Sequence, residues 1–353
     1  MNILYSSGMS GTVNCTFDLT KDGKQAGYLK VGDSTNNSGW TTYNVPIISI
    51  KNGDGPSALV LAGNHGDEYE GQIAATTLSR DLKPDQINGQ VIIIPCLSQE
   101  ASRGGTRLWP DGVKFNRIFP GSEDGPVSSK LAHYLTHELF PKVDAVMDIH
   151  SGGRGHLFIP CSTMVWAKDE KQRAKMLKSM LAWNSSYSMI LPEQPSTNPA
   201  SLLPGEAERQ GKEVFTTELG GGALANYTRV KVAKDGLDNA LRTLGILKGA
   251  PKTREEQGLA PAIILDMRSE SAYHSVNDFG LYENLFPLGG EIKKGEVLGL
   301  VHNMDNPEVP AVPVIARQDG VLGVERGFPR VTPGDVVALV GRAYKTAADL
   351  PVL

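Results

Sequence analysis

His65 and Glu68 lie in the run Gly63-Asn64-His65-Gly66-Asp67-Glu68, directly after the apolar stretch Leu59-Val60-Leu61-Ala62. A second apolar stretch, Val143-Asp144-Ala145-Val146-Met147-Asp148-Ile149, leads into His150 and then Ser151-Gly152-Gly153. Two imidazoles and one carboxylate at the ends of buried strands form the ligand set of a catalytic zinc ion that keeps one position open for water. Such a set leaves net positive charge on the site, enough to bring the pKa of a bound water to about 7 and to polarise a carbonyl. Taken singly, His65 reads as a turn histidine, Glu68 as a helix-start carboxylate favoured by the macrodipole, and His150 as a strand-end residue. The H-x-x-E spacing is weak by itself. Its combination with a distant D-x-H and a later strand-end glutamate is specific, and one Zn2+ per subunit is expected on His65, Glu68 and His150. Asp148 stands where a carboxylate can hold a ligand imidazole from behind, or is an ordinary strand-end polar residue. His133, His137, His156, His274 and His302 lack comparable context and stay outside the metal set.

Val214-Phe215-Thr216-Thr217-Glu218 ends another apolar stretch in a carboxylate, followed by Leu219 and three glycines. Beside a metal-activated water, Glu218 can take a proton and pass it to a leaving nitrogen. The bland alternative is a structural glutamate bonded to amides of the glycine turn. The glycines match neither a dinucleotide fingerprint nor a phosphate loop. Between residues 102 and 121 lies a long polar segment containing Arg103, Arg107, Asn116 and Arg117. Ordering such a loop is costly unless it has a task. Guanidinium groups suit bidentate capture of a carboxylate. Asn116 with Arg117 can bind a substrate carboxylate, and Arg107 can stabilise an oxyanion. Surface ion pairing is the ordinary fate of a lone arginine, and Arg103 fits it best.

These residues need a frame. Residues 11–51 alternate valine, isoleucine and aromatic runs with Gly, Asp and Asn clusters and read as β ribbons, with strands over 13–19, 26–31 and 43–50. From 56 to 249 the pattern is strand and helix in turn: strands over 58–62, 90–95, 143–149 and 214–218, helices over 70–82, 127–139, 168–185 and 227–244. Apolar strands separated by helices imply an α/β fold, a mostly parallel or mixed sheet flanked by helices. Such sheets bind ligands beyond the carboxyl ends of their strands. His65, His150 and Glu218 each follow a strand and are sent to that same edge. From 261 onward the chain reads as a C-terminal all-β, barrel-like module. A weak repeat, residues 291–301 against 330–340, reads twice as strand, glycine turn, strand and suggests two hairpins related by approximate two-fold symmetry. Lipoyl- and biotinyl-carrier domains look similar, but Ala316-Arg317-Gln318-Asp319-Gly320-Val321 offers no lysine for attachment, which favours scaffolding or lid roles. The expected division is 1–51, N-terminal β ribbons; 52–255, catalytic α/β; and 256–353, the β module.

The 353 residues suffice for a large core and more than one domain. A formal net charge of −4 provides no basic field for nucleic acid or an anionic membrane, and no apolar run is long enough to span a bilayer. Residues 1–8 lack a basic start and an apolar core, so secretion by that route is not expected. Cys15, Cys96 and Cys161 are too few and too odd in number for a disulfide framework, which points to a reducing, cytoplasmic compartment. The expected partner is a small-molecule substrate; a homo-oligomer is left open.

Together these residues resemble the succinylglutamate desuccinylase/aspartoacylase family, which is related to zinc carboxypeptidases. The resemblance rests on Gly63 through Glu68, Thr106-Arg107, Asn116-Arg117-Ile118-Phe119-Pro120-Gly121, Asp148-Ile149-His150-Ser151-Gly152-Gly153 and Thr217-Glu218-Leu219-Gly220-Gly221, and extends to the C-terminal module. It implies zinc-dependent hydrolysis of the amide of a small N-acyl amino acid. In that scheme zinc sits on His65, Glu68 and His150, Glu218 is the base, Arg107 polarises the carbonyl, and Asn116 with Arg117 binds a carboxylate. Within the family, the extended run through Tyr69-Glu70-Gly71 and the His-Ser-Gly-Gly tail are most similar to the N-α-acetyl-L-2,4-diaminobutyrate deacetylases of ectoine breakdown. Asp67 and Glu70 are the acidic residues that could approach the amine of such a substrate. Residues 157–204 match no motif and are expected to shape the pocket. Tyr273, Tyr282 and Glu283 are the candidates to reach inward from the β module. A metallocarboxypeptidase acting on short peptides and a non-catalytic small-molecule-binding protein are the alternatives from the same residues.

Overall fold

The computed structural model describes residues 13–35, 38–167, 169–193 and 198–351. The expectation drawn from residues 1–8 lies outside them. The N-terminal ribbon consists of β1 (Val13–Cys15), β2 (Gly23–Thr35) and β3 (Ser38–Asn52). The α/β segment runs β4 (Ser57–Ala62), α1 (Tyr69–Asp81), β5 (Gly89–Ile94), α2 (Gln99–Gly104), α3 (Val127–Tyr134), β6 (Ala145–His150), β7 (His156–Phe158), β8 (Cys161–Val165), α4 (Glu170–Ala182), β9 (Tyr187–Leu191), α5 (Leu203–Arg209), β10 (Glu213–Glu218) and α6 (Tyr227–Thr243). The C-terminal strands are β11 (Ile263–Asp266), β12 (Tyr273–Ser275), β13 (Gly280–Asn284), β14 (Glu291–Ile292), β15 (Val297–His302), β16 (Val312–Ile315), β17 (Gly320–Arg326), β18 (Arg330–Val331) and β19 (Val336–Tyr344).

The centre of the main sheet runs β5-β4-β6-β10 with all neighbours parallel. Side chains alternate across it, as the pleat requires. Leu59, Leu61 and Val146 pack on one face with Leu131 of α3 and Leu203 of α5. Val60, Ala62 and Met147 pack on the other with Ala74 of α1 and Leu237 of α6. Burial on both faces explains why these strands read as nearly unbroken apolar runs. Beyond β10 the sheet becomes mixed: β8 is antiparallel to β10, β9 is parallel to β8, and β11 is parallel to β9. β19 and β17 then continue it, so the C-terminal strands extend the main sheet. A separate antiparallel sheet has the order β16-β15-β13-β18. Among the described residues no helix is long and apolar enough to cross a membrane.

The structure corrects the sequence reading at one helix and at the C-terminal repeat, among other places. The helix expected over 127–139 widens into a π turn at Leu135–Leu139. The repeated strand–turn–strand units are not hairpins: β14 pairs with β17 while β15 pairs with β13 and β16, and β18 pairs with β13 while β19 pairs with β17. Each glycine turn carries the chain between sheets. The turns are closed alike, by Lys293 N–H to Glu296 Oε2 at 2.7 Å and Thr332 N–H to Asp335 Oδ2 at 3.0 Å.

Candidate metal centre

β4, β6 and β10 are neighbours, and the candidate residues leave from their carboxyl ends. Glu218 stands opposite His150 in the parallel register, with Ala62 opposite Ile149. After β4 the chain turns sharply through Gly66, where a Cβ would drive into the backbone of Ala101 on α2, so a larger residue would push the His65 turn off that helix. Glu68 occupies the cap position of α1, yet its side chain caps nothing there. Its carboxylate turns instead to the imidazoles: Oε1 lies 2.6 Å from His65 Nδ1 and Oε2 lies 2.8 Å from His150 Nδ1. Oε2 also accepts the Ser151 N–H at 3.1 Å, and Oε1 accepts Arg107 Nη1 at 3.0 Å.

One ligand atom from each of His65, Glu68 and His150 lies within 4.8 Å of the others, and all three residues are buried. The group could hold a metal ion. The far side of His150 supports that fit. Asp148 and His150 are two apart on β6, hence on one face, and His150 Nε2 meets Asp148 Oδ2 at 2.8 Å. Asn64 Nδ2 donates to the same oxygen at 3.1 Å. With the Nε2 proton held by a carboxylate, Nδ1 is the nitrogen that would turn its lone pair to a cation once that cation replaces the proton shared with Glu68. Two imidazoles and one carboxylate are a donor set suited to zinc. The charges reinforce one another. Burial disfavours ionised Glu68, but His65 and His150 outweigh it and hold the carboxyl well below its usual range. Burial lowers His65. Burial also opposes charge on His150, and Asp148 and Glu68 overcome it, carrying that ring well above its ordinary value.

The group opens on a cavity of about 550 Å³ lined also by Arg107, Asn116, Arg117, Asp67 and Glu218. Glu218 is partly buried, and its Oε2 has no hydrogen-bond partner. Burial first, and the charge of Glu68 second, push its pKa up to about 8. A carboxylate poised near neutrality and lacking a structural partner is suited to proton transfer. Arg117 is lowered by burial and by the neighbouring Arg107 cation. Two guanidiniums that repel one another across a cavity make a natural anion site. Arg117 Nη1 donates to the Asn116 carbonyl at 2.7 Å, and Asn116 Oδ1 accepts the Leu203 N–H at 2.9 Å, so these contacts hold the pair against α5.

Of the acids flanking Glu68, Asp67 lines the cavity, with Oδ2 accepting the Arg154 N–H at 2.8 Å. Glu70 is buried under the glycine turn, bonded to Gly221 N–H at 3.2 Å. Tyr273 does reach the cavity from the C-terminal strands, joined by Val324, Val336 and Leu339. Tyr282 is buried in the core of the smaller sheet, and Glu283 pairs with His302. His156 lines the cavity but faces the Val336 carbonyl at 3.3 Å, apart from the metal group. The unmatched stretch 157–204 supplies Thr163, Val165, Leu191 and Pro204 to the wall, as expected. Sequence reading missed Thr216, which shares the face of Glu218 two residues on and could have been found by strand alternation.

Residues 54–244 match the succinylglutamate desuccinylase/aspartoacylase catalytic domain. The chain is 36% identical over 335 residues to an N-alpha-acetyl-L-2,4-diaminobutyric acid deacetylase of Halomonas elongata, covering 95% of this chain and 96% of that protein. Among solved structures it resembles the product-bound ectoine utilization protein EutE (DoeB) of Ruegeria pomeroyi, with TM-score 0.89 and 34% identity over 94% of this chain and 99% of that one. A succinylglutamate desuccinylase/aspartoacylase of Rhodobacter sphaeroides matches with TM-score 0.88 and 35% identity over 95% of this chain and 100% of the other.

Proposed function

We propose that this chain, which belongs to the succinylglutamate desuccinylase/aspartoacylase family, uses one zinc ion held by His65, Glu68 and His150 to hydrolyse the amide of a small N-acyl amino acid. The products are a carboxylate and a free amine. The substrate we assign is N-α-acetyl-L-2,4-diaminobutyrate, in keeping with the name of the Halomonas relative. The observation that carries the reading is the convergence of three buried ligand atoms within 4.8 Å at the edge of a cavity that also holds an unpartnered glutamate oxygen.

When bound, the ion supplies Lewis acidity, lowering the pKa of water and polarising the substrate carbonyl. Glu218 takes the proton of the attacking water on its free oxygen and returns it to the leaving nitrogen. Arg107 donates to the oxyanion that develops on the carbonyl. Arg117 and the amide of Asn116 hold the substrate carboxylate and set the scissile bond in register. Asp148 keeps His150 turned to the ion. In the same proposal residues 52–255 carry the chemistry, 1–51 and 256–353 frame it, and the enzyme works in the cytoplasm. Protein stripped with a chelator should lose release of amine from N-α-acetyl-diaminobutyrate and regain it on adding zinc. Turnover that persists without metal would overturn the mechanism.

A further inference from the structure

A second cavity of about 550 Å³ adjoins the catalytic one. Asn116, Arg117, Val165, Leu191 and Thr216 line both. Past that shared wall the second cavity is bounded by apolar groups, among them Ala167 of the chain after β8 and Met176 of α4, and by the carboxylate of Glu208 on α5. Glu208 Oε2 accepts one hydrogen bond, from Gln172 Nε2 at 3.2 Å. Among the described residues no lysine or arginine forms an ion pair with it. The other charged groups of this wall are engaged. Arg209 binds Glu206 through two hydrogen bonds, at 2.7 and 2.6 Å. Arg117 is tied to the Asn116 carbonyl. Asp169 caps α4 by accepting the Gln172 N–H at 2.8 Å. Glu193 is exposed, where a carboxylate discriminates weakly.

A carboxylate largely withdrawn from water with one neutral donor is costly to keep ionised, and burial pushes Glu208 up to about 7. A ligand cation would remove that cost. The placement allows one: Arg117 and Asn116, assigned above to the substrate carboxylate, stand in the wall that both cavities share, so a side chain leaving that point has the second cavity open to it. We propose that the second cavity receives the side chain of the acylated amino acid and that Glu208 pairs with a positive group at its end. The enzyme thereby selects N-acyl amino acids with an ammonium-bearing side chain. This rests on the deacylase reading and adds the residue that sets its selectivity.

The test uses matched substrate pairs: N-α-acetyl-diaminobutyrate against N-acetyl-norvaline, and N-α-acetyl-ornithine against N-acetyl-norleucine. A charge-assisted hydrogen bond at such a site predicts that wild type prefers the cation of the better pair by roughly 30-fold in kcat/KM. Glu208→Gln should collapse that ratio to about three-fold or less, mainly through KM, while Glu208→Asp keeps part of it. A preference that survives Glu208→Gln, or a wild type without one, overturns the inference. Loss of all activity from wild type on every pair would refute the deacylase reading instead. Calorimetry with free diaminobutyrate, ornithine, norvaline and norleucine then decides Glu208 separately. Tighter binding of the cations in wild type, abolished in Glu208→Gln, supports the pairing, and equal affinities reject it. A melting curve shows that each variant is folded.

Discussion

Asp148→Asn isolates the part of the proposed metal site that would not touch the ion. Asp148 is fully buried, and its Oδ2 receives two donors, His150 Nε2 at 2.8 Å and Asn64 Nδ2 at 3.1 Å. Oδ1 lies 3.4 Å from the same Asn64 nitrogen. An asparagine offers one oxygen and one NH2 in their place. With its oxygen toward His150, its nitrogen sits against another amide donor. With the amide reversed, it meets the Nε2 proton and drives that proton to Nδ1, the atom aimed at the metal. Either arrangement removes the negative charge that makes His150 a stronger ligand. Loss of such a partner weakens metal binding by about 10- to 100-fold, or roughly 1.4–2.7 kcal/mol. Zinc affinity should be measured by competition with a fluorescent chelator at fixed pH, on variant protein with an unchanged circular dichroism spectrum. Activity should return at saturating zinc, because the ligands themselves remain. An affinity within two-fold of wild type would show that Asp148 does not govern the ring, and the account of His150 would fall with it.

Glu218→Gln should keep one zinc per chain by elemental analysis while kcat falls by about 10²- to 10⁴-fold; an undiminished rate would remove Glu218 from proton transfer. Glu208→Gln should stabilise the ligand-free protein in a defined window. A carboxyl raised to about 7 in the fold adds no penalty below the ordinary glutamate range, destabilises increasingly as pH climbs toward 7, and reaches its full penalty above it. Denaturant titration should thus show the variant gaining about 1–2 kcal/mol at pH 8, allowing for partial exposure, and nothing at pH 4; equal stability at both would refute the burial argument. Gly236 on α6 packs against Trp183, and a Cβ there would enter the indole ring. Gly236→Ala should therefore cost about 1–3 kcal/mol despite alanine's better helix propensity, and a raised melting temperature would contradict it.

The parallel centre of the sheet was legible because burial on both faces leaves an uninterrupted apolar signature, as in Leu59–Leu61 and Val146. β8 and β9 were not. Their interior is diluted by serines that satisfy one another, with Ser162 Oγ 3.0 Å from Ser188 Oγ and 3.3 Å from Ser185 Oγ. Buried hydroxyls in a closed network cost little, yet they erase the periodic pattern on which strand recognition depends. The C-terminal repeat shows the reverse case. The local pattern of strand, glycine and strand was read correctly, but a turn that changes sheets uses the same residues as one that closes a hairpin, so only the partner strands reveal which was built.

The same division runs through the site. The convergence of His65, Glu68 and His150 was readable because the pattern is local: a histidine and a glutamate three apart after one strand, a histidine after another, and a fold class that sends strand ends to one edge. Glu208 had no such signature. Glu206-Ala207-Glu208-Arg209-Gln210 reads as any polar helix turn, and one of its two glutamates does form the ordinary i,i+3 pair with Arg209. What separates the other is its surroundings, a place in the wall of a cavity with apolar neighbours and one neutral donor, and those are settled by how α5 packs on β10 and not by the residues next to it in the chain. Catalytic metal sites need several ligands in fixed relation and so leave a pattern in the chain. Selectivity needs only one charge that lacks a partner, and that is a property of the surroundings.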